Sequence, residues 1–214
     1  MIKNNKKQVI LSSISILLPI LIGIVMWNAL PDRIATHWGV DGTVDGWSSK
    51  AFAVFGLPLI LLGLHWICIA GTMLDPKNKE QSSKVFGMIM WLIPLISLSM
   101  NGATYAVALG YADSMIFAVR ILVGGIFIIL GNYLPKCKQN HTIGIRIPWT
   151  LKNKENWNKT HRFAGKVWVL GGVFLLLTIF FPMEAFVYIC LGVTIVMVAI
   201  TILYSYHYDK KQRA

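Results

Sequence analysis

Four stretches of this chain, residues 9–30, 51–74, 85–111 and 185–208, contain no Asp, Glu, Lys or Arg, and a fifth, 114–134, contains only Arg120. A membrane-crossing helix needs roughly 20 predominantly apolar residues, and about 18 without charge already mark a candidate. Residues 163–181 supply a sixth stretch, with Lys166 able to reach the interface on its long stem. Only 14% of the 214 residues are charged, against about 25% in soluble chains. Hydrocarbon offers backbone amides no partner, so spans of this length must be helices. The expected fold is all-α: a polytopic integral membrane protein with six transmembrane helices in three hairpins. An N-terminal region, 1–111, holds spans 9–30, 51–74 and 85–111 and an external loop, 31–50. A C-terminal region, 114–208, holds spans 114–134, 163–181 and 185–208, a basic loop at 135–166 and then a tail, 209–214. The first span is too long for a cleaved signal and reads as an anchor.

The formal charge of +11 invites a nucleic-acid partner, but its placement points to orientation. Six spans put the polar segments on alternate sides, and every basic residue except Arg33, Lys50 and Arg120 falls on one of them. Cytoplasmic loops carry the Lys/Arg excess, so both termini are expected inside a bacterial plasma membrane. Anionic headgroups at the basic loop are the expected partners, at about 1 kcal/mol per near-surface basic residue. No direct nucleic-acid contact is expected.

The external loop has Asp-Gly at 41–42 and 45–46, both turn signals. Asp41 and Asp45 lack the alternating acids and distal Glu of a calcium loop. Trp38 and Trp47 suit the membrane–water boundary, and His37 has no second ligand nearby. Within the spans, Arg120 lies about 9 Å from the outer end at the helical rise. Asn101 of the preceding span reaches a similar depth, with Thr104 a turn further out, so Arg120 and Asn101 are expected to meet. An intramembrane charge is a functional-site hypothesis by default. His65, near mid-span, reads as a satisfied core histidine. None of the nine acidic residues lies in a predicted span, which disfavours the alternative of a small proton-coupled transporter; a membrane-stress sensor without a toxin ligand stays open. Cys137, His141 and His161 make an incomplete zinc set. No metal, cofactor or catalytic constellation is expected, and three cysteines with no extracellular pair indicate no disulfide.

The basic loop is the most patterned polar stretch. Ile143, Ile145 and Ile147 alternate and Pro148 interrupts a helix, so 140–150 reads as extended. From Asn153 a helix begins, and Trp157, His161, Ala164 and Trp168 share one face. Flanking Lys154, Lys159, Arg162 and Lys166 suggest a basic amphipathic helix resting at headgroup level and feeding the fifth span.

The segment GNYLPKCKQNHTIGIRIPWTLKNKENWNKTHRFAGKVW, residues 131–168, resembles the signature of the SdpI family, the immunity proteins against the sporulation-delaying-protein toxin. The matching positions are Asn132, Asn140, His141, Gly144, Arg146, Pro148, Trp149, Thr150, Leu151, Trp157, Arg162 and Phe163. The external PDRIATHWGVDGTVDGW is similar to an uncharacterised N-terminal domain often found in that family. The resemblance implies protection from a membrane-active peptide toxin. It further implies a signalling role in which a small helix-turn-helix autorepressor is held at the membrane. Toxin would be met by His37, Trp38, Trp47, Asn101 and Arg120, and the cytosolic loop would bind the partner.

Overall fold

The computed structural model describes residues 2–112 and 115–213. Asp113 and Ser114, expected at the tip of the second hairpin and the start of the fourth span, lie outside the described residues, as do Met1 and Ala214. The chain forms α1 (Ile2–Val25), β1 (Arg33–Trp38), β2 (Val44–Ser49), α2 (Leu57–Leu74), α3 (Ser83–Ala108), α4 (Ile116–Tyr133), a short α5 (Pro148–Lys152), α6 (Lys154–Leu177) and α7 (Met183–Arg213). All the helices but α5 are long and apolar enough to cross a membrane, α2 together with the preceding π-helical Phe52–Gly56. Their outward faces carry Leu21, Ile67, Leu170 and Ile195, each well exposed. A soluble protein rarely leaves apolar patches of that extent open; lipid is the solvent they fit.

Polar side chains inside the bundle spend themselves on neighbouring backbone. Ser97 on α3 donates to Ile16 O at 2.9 Å, and Tyr105 donates to Pro19 O at 3.1 Å, tying α3 to α1. Ser12 donates to Val9 O, which leaves its oxygen to accept from His65 at 2.9 Å and joins α1 to α2. His65 is fully buried, but the expected satisfied core histidine is met at Nε2 alone, since its Nδ1 has no hydrogen-bond partner. α4 packs against α6 backbone to backbone, where glycines face one another. A Cβ at Gly131 would sit 2.8 Å from Gly165 O, and one at Gly172 would sit 2.7 Å from Gly124 O. Small residues let membrane helices approach to backbone contact. α7 joins through a buried knot: Asn156 donates to Ser205 O at 3.0 Å and accepts from Ser205 Oγ and Thr160 Oγ1.

The 31–50 segment, read above only as loop and turns, is an antiparallel β-hairpin. Gly42 takes the turn's positive φ of 82°, as its Asp-Gly signal suggested. The second Asp-Gly instead lies in β2, opposite a register shift at His37. At the hairpin's base Lys50 donates to Trp27 O at 3.1 Å and pairs with Asp32 at 3.3 Å. Its tip rests on the other half of the bundle: a Cβ on Gly42 would meet Ile116 at 2.7 Å and Met183 at 3.3 Å.

Arg120 and Asn101 do not pair. Arg120, 3% exposed, donates to Ile179 O at 2.7 Å and Phe181 O at 2.6 Å, and its guanidinium lies 5.2 Å from the Phe186 ring. These carbonyls end α6 and its 3-10 extension (Thr178–Phe180), and the last carbonyls of a helix want donors and positive charge. Asn101 instead donates within its own helix, to Ser97 O at 2.8 Å. Replacing Arg120 with Met strips two carbonyls of their donors; the expected cost is about 1–3 kcal/mol each way of counting a lost buried bond. A lowered melting temperature of the detergent-solubilised protein checks this, and an unshifted one contradicts the clamp.

Candidate functional site

The basic end of the bundle carries a compact cap built from residues 134–153 and the start of α6. Its foundation is Trp157, fully buried, whose indole donates to Cys137 O at 2.8 Å and stacks on His161 with centroids 4.0 Å apart. His161 is wired on both nitrogens: Nδ1 to Trp157 O at 2.8 Å, and Nε2 to the backbone N–H of Ile145 at 3.0 Å. An N–H can only donate and a carbonyl can only accept. The ring is therefore the neutral Nδ1–H tautomer.

Gly144 sits where the loop passes over this pair. Its φ is 104°, and an added Cβ would collide with His161 Nε2 and approach Trp157 at 3.2 Å. Asn140, fully buried, folds the preceding turn: Oδ1 accepts from Thr142 and Ile143 N–H at 2.7 and 2.6 Å, while Nδ2 donates to Lys138 O and Ile143 O. Such local side-chain bonds displace regular structure, so 140–147 is irregular where an extended run was expected. Pro148 opens α5 rather than ending a helix, because the first turn needs no N–H there. Thr150 secures the start of α5, accepting from Ile147 N–H at 3.1 Å and donating to Ile145 O at 2.7 Å.

The 75–84 connection, seen in the sequence only as a basic turn, supplies the other wall. Asp75 accepts from His141 N–H at 2.6 Å, from the Thr142 hydroxyl at 3.0 Å and from Lys77 N–H at 3.0 Å. Burial works to raise its carboxyl pKa, but the hydrogen bonds from His141, Lys77 and Thr142 outweigh it and hold it below the ordinary value. Gln81 exchanges both amide bonds with the backbone of Lys138, at 2.6 and 3.0 Å. Gln139 donates to Thr150 O and Leu151 O. Sequence reasoning missed Asp75, Gln81, Gln139 and Asn156. The one usable signal was Asp-Pro at 75–76, an N-cap followed by proline at the first helical position.

Of the expected loop residues, Asn140, Gly144, Thr150 and Trp157 meet in this cap, and His141 joins through its backbone. Arg146 is exposed and donates to His141 O at 2.7 Å. Trp149 packs edge-on against Tyr206 at 5.3 Å, bringing α7 to the cap. Phe163 stacks on Tyr204 at 4.3 Å. Asn132 and Arg162 are exposed and stand apart. α6 begins at Lys154, one residue after the expected start at Asn153, whose side chain caps it, and continues into the span. Its Trp157–His161–Ala164 face is not laid on headgroups, however: the loop covers it. Among the described residues no three His, Cys, Asp or Glu side chains stand together as a metal site.

At the opposite end, His37 pairs across the hairpin with Asp45 at 2.5 Å, both well exposed. Trp47 is 54% exposed on the hairpin surface. Trp38 turns down into a cavity that Asn101 and Thr104 also line. Arg120, spent on α6, faces neither solvent nor this cavity.

Burial pushes the Cys137 thiol up to about 11, so the reactive thiolate is scarce at neutral pH. In a Cys68→Ser, Cys190→Ser background Cys137 should label slowly with maleimide even in detergent. Gly144→Ala, at a cost of about 1–3 kcal/mol for the forced φ alone, lifts the loop and should speed that labelling. Equal rates in the two proteins contradict the cap.

Residues 136–205 match the SdpI/YfhL protein family, and residues 14–62 match a domain of unknown function, DUF1648. Over 205 residues, covering 96% of this chain and 97% of the relative, the sequence is 30% identical to the immunity protein SdpI of Bacillus subtilis (strain 168). No solved structure matches. Six helices fit for lipid and a likeness that runs nearly end to end lead to one statement: the chain is a multi-pass membrane protein and belongs to the SdpI family.

Proposed function

We propose that this protein gives its host immunity to a membrane-active peptide toxin, met at the hairpin end of the bundle, and that the basic cap faces the cytoplasm. The observation that carries the reading is the near full-length likeness to an immunity protein. The orientation follows from charge: Lys138, Arg146, Lys152, Lys154, Lys159, Arg162 and Lys166 are all exposed at the cap end, and such an excess marks the cytoplasmic side. Both termini are then inside.

The two ends have different chemistry. Around the hairpin, Trp38, Trp47, His37 and Asn101 offer aromatic surface with a few polar groups, which suits an apolar peptide. Around the cap, exposed cations ring a rigid, internally bonded scaffold, which suits anionic headgroups or a recruited protein such as a small helix-turn-helix autorepressor. Toxin shifts the cap only to the extent that it binds two states of the bundle unequally. The hairpin tip on Ile116 and Met183 gives the hairpin end a direct grip on α4 and α7, and those helices lead to the cap.

Expression in a toxin-sensitive bacterium tests the function, with survival and membrane potential read under purified sporulation-delaying peptide. The wild-type chain should preserve both. Arg146→Ala and Trp149→Ala should reach the membrane in normal amounts and protect less; full protection by both removes the cap from the mechanism. For orientation, Cys137 is too buried to report, so exposed Lys138→Cys takes its place. An impermeant maleimide should leave it unlabelled in intact cells and label it in permeabilised ones. Labelling in intact cells reverses the proposed threading.

A further inference from the structure

Lys84, Gly87, Met88, Trp91, Leu95 and Leu98 follow one another along α3 at the spacing of a single helical face. They line a groove of about 640 Å³ to which α1 contributes Gln8 and α4 contributes Ile129 and Tyr133. Gly87 widens it near the cap end, since a Cβ there would meet nothing closer than Gln8 Oε1 at 4.0 Å. Trp91, Leu95 and Leu98 are exposed, so the groove opens sideways into the membrane.

The groove has a direction. Its polar lining gathers at the cap end, where α3 begins with Ser83 and Lys84 and α4 ends with Tyr133. Ser83 and Lys84 are exposed and Tyr133 is half-buried. Among the described residues, neither hydroxyl nor the Lys84 ammonium has a hydrogen-bond or ion-pair partner. Lys136 adds a second cation, its Nζ 4.5 Å from the Tyr133 ring centre. The described lining includes no carboxylate. Beyond Gly87 the wall is apolar as far as Leu98. Lys84 and Leu98 stand about 21 Å apart at the helical rise, against roughly 20–22 Å from the middle of a bilayer to the outer edge of one headgroup layer. The groove is one leaflet deep.

We infer that it binds one anionic phospholipid of the leaflet at the cap end, with the phosphate at Ser83, Lys84 and Tyr133 and an acyl chain along Met88, Trp91 and Leu95. Unspent hydroxyls beside two cations suit a phosphate ester, and basic pockets between membrane helices take such headgroups. A headgroup with its own ammonium, as in phosphatidylcholine, brings a charge that Lys84 and Lys136 repel. An apolar peptide would match the lower wall and leave both cations without a counter-charge. The site does not rest on the immunity function.

Native mass spectrometry of the full-length protein in detergent, titrated with phosphatidylglycerol or phosphatidylcholine, counts bound lipids and reads their affinities. Wild type should hold one phosphatidylglycerol roughly 10-fold tighter than phosphatidylcholine, the scale set by two near-surface cations. Lys84→Gln should cut that preference about 5-fold, while Lys159→Gln, which removes an exposed cation of α6 outside the groove, should leave it unchanged. Gly87→Leu fills the groove with a better helix former; it should abolish the tight site without lowering the melting temperature. Equal affinity of wild type for the two lipids overturns the inference, as does an equal loss in Lys84→Gln and Lys159→Gln. A tight site that survives Gly87→Leu also overturns it. Displacement of the lipid by glycerol phosphate at the same concentration overturns the groove and leaves only a phosphate site. If wild type instead binds purified sporulation-delaying peptide in preference to phosphatidylglycerol, and Gly87→Leu loses the peptide, the occupant is a peptide and the lipid site falls. Survival under toxin tests the immunity function separately from all of these.

Discussion

Hydrocarbon cannot hydrogen-bond to a peptide group, and this one deficiency explains the arrangement of nearly every polar side chain in the bundle. Ser97, Tyr105, Thr72, Thr194 and Thr201 all donate to main-chain carbonyls. Arg120 does so with a full charge, delivered to the C-terminal end of the 3-10 turn that follows α6. The charge is tolerated because the carbonyls at a helix C-terminus carry the complementary partial charge. What reads in the sequence as an exceptional cation is, in the fold, the strongest instance of a general habit.

The same deficiency divides the labour between helices. Between α4 and α6 there is almost no side chain at all at Gly124, Gly131, Gly165 and Gly172, and the backbones touch. α1, α2 and α3 instead associate through hydroxyl, imidazole and phenol bridges. The halves are fastened together at their ends. Asp75 and Gln81 hold the 138–142 backbone at one end, and the hairpin tip rests on Ile116 and Met183 at the other. A unit packed backbone to backbone and a hydrogen-bonded one are thus joined top and bottom.

The parts of this fold that local chemistry decides were legible in the sequence. Charge-free runs located the spans, the helical spacing that sets in at Asn153 located the start of α6, and Asp-Gly at 41–42 located a turn. Parts decided by distant partners were not. Nothing near His37 announces that residues 33–49 pair with themselves, because the six-residue strands mix polar with apolar residues and β2 carries a glycine. Trp157 and His161 were correctly placed on one helical face, yet periodicity cannot distinguish a face covered by lipid from one covered by the chain's own loop. Arg120 was matched with Asn101 by depth alone; the carbonyls it needs lie some 60 positions further along, at Ile179 and Phe181.

The exchange of bonds between the Gln81 amide and residue 138 involves only the main chain of the latter, and Asp75 likewise holds residue 141 by its N–H. The outward side chains there, a lysine and a histidine, carry none of the cap's internal bonds. Any residue with a free N–H would fit at 138. Within such a scaffold the chemistry displayed at 138 and 141 can change without refolding the loop beneath it.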